Sequence, residues 1–176
     1  MKTLAVLRQN RILQIPAALI TLGLMWLLPF LVHLIPIGGA VPVGARLLPI
    51  FYAPLLAAWF FQPGVALFAS LLMPFINHAL TGMPTFNVAI ILSVELTVFS
   101  LTLIALKQRW PRLPVAAPLL AVLIGKLVSM LLLFIVPLVP ASPWEFFSKA
   151  LVNALPGLLI LLALNLALTR LLPHER

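Results

Sequence analysis

Apolar residues run along this chain in long stretches, broken only where proline, glycine or charge intervenes. They do not alternate with polar residues as barrel strands do, and their lengths suit helices that cross a bilayer. The stretches lie near Ile12 to Ile35, Leu47 to Phe61, Gly64 to Leu80, Phe86 to Leu106, Val115 to Leu138 and Phe147 to Leu172. Backbone surrounded by hydrocarbon must satisfy its own hydrogen bonds, so such stretches are expected to be helical. The pattern predicts an all-α integral membrane protein, a six-transmembrane-helix bundle forming one membrane domain over residues 1–176. Two stretches are irregular. The second is short and carries Pro49 and Pro54, and the third has Pro74 just before Asn77 and His78. Proline frees backbone groups that then need partners, and broken helices of this kind occur both as packed kinks and around transporter binding sites.

Composition agrees with this solvent. Hydrophobic residues make up 64% of the chain and charged residues 8%, against roughly a quarter charged in soluble domains. No polar stretch is long enough for a soluble catalytic or nucleotide-binding domain, so chemical energy would have to come from another subunit. The net charge of +8 does not indicate nucleic acid, because the basic residues sit at stretch ends and do not cluster with aromatics. They do indicate orientation. Lys2, Arg8 and Arg11 precede the first stretch, Lys107, Arg109 and Arg112 follow the fourth, and Arg170 and Arg176 close the sixth. With six spans these fall on one side, which the excess of positive charge assigns to the cytoplasm, with both termini. Arg46 and Lys149 lie toward the other side and Lys126 within the membrane. The first stretch is too long for a cleaved signal and is read as a retained helix in a multi-pass protein of the cell membrane.

Within this apolar background the polar groups stand out. Glu95 and Lys126 are mid-stretch, where each charge costs roughly 2.5–3.5 kcal/mol on insertion scales. Similar depth makes them plausible partners, either as the polar floor of a ligand cavity or as a buried salt bridge that fixes helix rotation. Nearer the outer side, Asn77 and Thr81 are spaced i, i+4, as are Lys149, Asn153 and Gly157, so each set is expected on one helical face. With His78 and Asn87 they would form a collar above the charged pair, although membrane helices also use such residues to bond to one another. Ser93, Thr97 and Ser100 on the fourth stretch, Gly125 and Ser129 on the fifth, and Ala17 and Thr21 on the first make small-residue faces suited to close packing or to docking a partner subunit.

Cysteine and aspartate are absent, and the acids are Glu95, Glu145 and Glu175. His33 and His78 have no neighbours at metal-ligand spacing, so neither a metal site nor another cofactor is expected. Gly125-Lys126 lacks the remaining residues of a phosphate loop, and neither an HExxH nor a GxSxG motif occurs. Without a convergent nucleophile and base, no enzyme is expected.

Five segments in order carry a resemblance. They are PFLVHLIP leaving the first stretch, LLPIFYAPLLAAWFFQPG from Leu47 to Gly64, LTGMP from Leu80 to Pro84 ahead of a stretch with a central Glu95, the Gly125-Lys126 pair, and ALPGLLI from Ala154 to Ile160. Over about Leu24 to Leu172 the chain resembles the substrate-specific S components of energy-coupling factor (ECF) vitamin transporters. The resemblance implies a six-helix subunit that binds a vitamin or related small molecule in a cavity opening outward. A transmembrane coupling subunit and two ATPases would then drive it. It further implies that the LTGMP loop with Asn77 and Asn87 caps the cavity and that Lys126 and Asn153 face it. Ala17-xxx-Thr21 would stand where relatives carry an alanine-xxx-alanine docking face, and the departure at Thr21 weakens that match. A membrane assembly or scaffold protein like the MreD-type rod-shape proteins has similar size and helix number, and would need no ligand cavity.

Overall fold

The computed structural model describes residues 13–34, 42–110 and 114–171. Lys2, Arg8, Arg11, Arg112 and Arg176, on which much of the expected orientation rests, lie outside the described residues, as does the His33 side chain. Among the described residues there are helices and no strand. Helix α1 spans Gln14–His33 and α2 Val43–Leu47; a 3-10 turn, Pro49–Phe51, leads into α3, Tyr52–Phe60. Then follow α4 Pro63–Thr81, α5 Phe86–Arg109, α6 Ala117–Ile135, α7 Pro143–Asn153 and α8 Leu155–Leu171.

Proline opens several of these helices. Pro63, Pro118 and Pro143 occupy the first or second position of α4, α6 and α7, where a missing N–H costs nothing and the fixed φ is already helical. Ser142 caps α7 by accepting from the Glu145 N–H at 3.3 Å, and Gly82, with φ 72°, closes α4 by donating to the His78 carbonyl. At Gly82 the left-handed backbone favours glycine because no Cβ resists it.

Among the described residues four helices, α1, α4, α5 and α6, are long and apolar enough to cross a membrane, and α7 with α8 make a fifth if the bent pair is one span. That is four or five where the hydropathy pattern predicts six, and the difference lies at prolines. The expected span Leu47 to Phe61 is broken: α2 stops at Leu47, Leu48 turns left-handed with φ 53°, and the apolar helical run Pro49–Phe60 is short. Pro49 cannot donate to α2, and its ring displaces the preceding residue from the right-handed helical region. The expected span Phe147 to Leu172 begins earlier, at Pro143, and bends by 55° between α7 and α8. Pro156, at the second position of α8, deprives the Val152 carbonyl of its helical donor.

Packing is led by α5, which lies between α4 and α6, while α1 packs on α4 and α3. The core gathers Met25, Phe51, Leu55, Met73, Phe99 and Leu161, with Phe51 meeting Phe99 edge to face at 5.1 Å between centroids. The outside is also apolar: Leu19, Leu131 and Leu159 are each more than half exposed, the reverse of a water-facing surface.

Candidate functional site

The two mid-helix charges meet. Lys126 Nζ on α6 donates to Glu95 Oε2 on α5 at 3.2 Å, with side chains 7% and 3% exposed. Ser129, almost one turn beyond Lys126, donates through Oγ to Glu95 Oε1 at 2.8 Å and lies 3.0 Å from the Lys126 carbonyl. Both carboxylate oxygens are therefore bonded. A buried pair offsets its desolvation only when geometry is good and the remaining lone pairs find donors. Gly125 makes the approach possible: a Cβ there would stand 2.9 Å from the Glu95 carbonyl oxygen. The small-residue face of α6 thus seats a backbone, and the charges close beside it.

On the other side of α5 the small polar residues attend to Pro74. Ser93 Oγ donates to the Leu71 carbonyl at 2.8 Å, and Ser70 and Ser100 hydroxyls are 2.7 Å apart. Pro74 leaves the Ser70 carbonyl without its helical donor; the α5 hydroxyls reach the adjacent Leu71 carbonyl and the Ser70 hydroxyl. Thr97 Oγ1, between them, is buried and has no hydrogen-bond partner among the described residues.

The collar is partly assembled. At the end of α4, Thr81 Oγ1 donates to the Asn77 carbonyl at 2.8 Å, with the Met83 carbonyl at 2.9 Å as the alternative acceptor; it also accepts from the Met83 N–H. His78 Nδ1 lies 2.8 Å from the Pro84 carbonyl oxygen, and its ring stands 5.7 Å from Phe86. Asn87 Nδ2, in the first turn of α5, reaches across to the Leu138 carbonyl at 2.9 Å. These bonds tie the Leu80 to Pro84 turn to α4 and the start of α5 to the segment after α6. The side-chain amides of Asn77 and Asn153, both half-buried, make no hydrogen bond to the described residues.

One expected face is corrected, and a second is buried. Lys149, Asn153 and Gly157 do not line one helix, because the chain bends after Asn153. Lys149 is exposed and pairs with Glu145 at 2.6 Å, whereas Gly157 is buried under Leu47, whose carbonyl a Cβ would meet at 2.6 Å. Ala17 and Thr21 are 4% and 1% exposed, and Ala17 is packed with Ala57, Val65 and Ala66. They occupy the seam of α1 with the bundle, where small side chains permit a close approach.

A polar knot near the opposite ends of α3 and α5 escaped sequence reasoning. Asn165, fully buried in α8, accepts from Trp59 Nε1 at 3.0 Å and donates to the Pro114 and Val115 carbonyls at 3.1 and 3.2 Å. Lys107 Nζ donates to the Ala58 and Trp59 carbonyls at 2.7 and 2.9 Å, capping the end of α3, and stands 4.9 Å from the Trp59 ring centre. A lone asparagine in LLALNLALT was the available signal, since an amide in so apolar a run must have partners.

The polar groups so described are a buried, mutually bonded ion pair and, at the end of α4, side chains engaged mostly with the backbone of the adjoining turn. No group of three His, Cys, Asp or Glu that could hold a metal occurs among the described residues. A separate apolar cleft of about 390 Å³ between α1 and α4, lined by Ile15, Leu19, Leu22, Val65 and Phe68 among others, involves none of the collar residues. No family model, curated protein or solved structure matches this chain.

Proposed function

We propose that the chain is the substrate-binding membrane subunit of an ECF-type uptake transporter. In this reading its apolar helices span the cell membrane with both termini in the cytoplasm, the broken segments completing six passes. It captures a vitamin or related small molecule from the outer face and passes it inward with a coupling subunit and two ATPase subunits. The observation that carries the reading is the Leu80 to Pro84 segment. The most distinctive piece of the resemblance is a turn held by His78 and Thr81, and the amide of the neighbouring Asn77, with that of Asn153, would offer donors and acceptors to a ligand. Lys126 has further N–H donors beyond the one given to Glu95, which suits an acceptor-bearing substrate. Glu95, with both oxygens engaged, acts in this scheme as the partner that holds the Lys126 side chain in place.

The test is purification in detergent without added ligand, followed by mass spectrometry of what is released. A co-purifying vitamin-like molecule, lost on Asn77→Ala or Asn153→Ala with helicity unchanged, supports the proposal. No bound molecule, no thermal shift from a vitamin panel and no ATPase in a pull-down of the native complex would reject it.

A further inference from the structure

The apolar cleft between α1 and α4 lies where both helices begin. Gln14 is the first residue of α1 and Gln62 the N-cap of α4, and both line it. Along α1 the lining runs from Gln14 to Leu22, an advance of about 12 Å at 1.5 Å per residue. Small residues, Ala18, Gly64 and Val65, make the floor, while Leu19 and Phe68, 64% and 50% exposed, stand as walls. A Cβ added at Gly64 would meet nothing within 4 Å. Apart from the two glutamines, no polar or charged side chain lines the cleft.

Size and charge together select an occupant. Over the same length a helix about 10 Å across takes up more than twice the volume of this cleft, whereas an extended hydrocarbon chain fits between such walls. An apolar trough with amides at one end suits a molecule with an apolar tail and one polar head. The sequence supplies the sign of that head. Arg11 and Arg8 stand three and six residues before Gln14, Lys2 precedes both, and no Asp or Glu occurs before Glu95. Three residues of chain span at most about 11 Å, so chain length alone keeps Arg11 close to the glutamine end. Basic residues beside an apolar segment attract anionic headgroups.

We infer that the α1–α4 cleft binds an acyl chain of one anionic phospholipid, whose head lies at the Gln14–Gln62 end and is recognised by Arg8 and Arg11. This rests on the membrane part of the reading above and not on its transport part.

The test uses the full chain in detergent with equimolar phosphatidylglycerol and phosphatidylcholine, each carrying a diazirine midway along one acyl chain. Native mass spectrometry gives the ratio of the two lipids retained, and peptide mapping after illumination gives the residues they reach. Expected are retention of phosphatidylglycerol over phosphatidylcholine by about tenfold and adducts concentrated at Leu19, Leu22 and Phe68. Arg8→Gln/Arg11→Gln brings the ratio near one and keeps the adducts in place, because the head loses its partners and the tail does not. Gly64→Leu fills open space in the floor; it cuts the cleft adducts severalfold and leaves those at the exposed Leu131 and Leu159 unchanged, with circular dichroism verifying the fold. Equal retention of the two lipids by the wild type overturns the inference, as do cleft adducts that persist in Gly64→Leu or adducts spread evenly over every helix, the mark of loosely surrounding lipid. Adducts at Leu131 and Leu159 with none in the cleft also overturn it, and would place a second copy or a segment of this chain there. Failure of the membrane reading itself looks different: neither lipid is then retained and no helix carries an adduct.

Discussion

Glu95 is the residue on which charge and packing converge. Its carboxylate takes Lys126 and Ser129, while its backbone carbonyl lies where a Cβ on Gly125 would be. Removing one partner of such a pair leaves a buried charge, so Glu95→Gln is expected to lower stability by about 3–5 kcal/mol, with Glu95→Gln/Lys126→Met recovering much of the loss. Thermal unfolding in one detergent checks both. Gly125→Ala acts without touching a charge: pushing Ala Cβ away from a carbonyl costs about 1–3 kcal/mol of overpacking, visible as a lower unfolding temperature than in wild type. The pairing of Glu95 with Lys126 was legible in the sequence, because two lone charges at similar depth in apolar stretches have few other solutions. The part played by Ser129 was not, since a serine in a helix satisfies itself on its own backbone as readily as on a neighbour.

At the scale of elements, hydropathy located α1, α4, α5 and α6 to within a few residues, because their apolar length is uninterrupted at the ends and α4 runs on through Pro74. It did not resolve the second and sixth stretches. A window average cannot distinguish a straight helix from one turned at Leu48 or bent before Pro156; that depends on where each proline falls relative to the carbonyl four residues earlier. The same limit hid the joint of α3, α5, α6 and α8 around Asn165 and Lys107, whose partners are far apart in sequence. Asn165→Ala strands the Trp59 indole N–H and two carbonyls, and is expected to cost about 1–3 kcal/mol. Unfolding in detergent measures it, and a blue-to-red change in Trp59 emission would locate the damage.

For the whole molecule, orientation is the quantity that the charge pattern predicts and packing leaves open. In inside-out and right-side-out vesicles, a membrane-impermeant maleimide should label Arg109→Cys only from the cytoplasmic side and Lys149→Cys only from the other. Labelling of both from one side would remove the six-pass arrangement. The candidate ligand residues were legible as polar exceptions, but their sorting was not: Asn87 and His78 spend their side chains on loop geometry, while Asn77 and Asn153 keep theirs. One contact described above bears on how such a chain can move. With Gly125 pressed on the Glu95 backbone and an ion pair beside it, α5 and α6 cannot roll or slide past each other without opening both. They behave as a single keel, and any large rearrangement of the bundle has to be carried by the lighter parts hung around it.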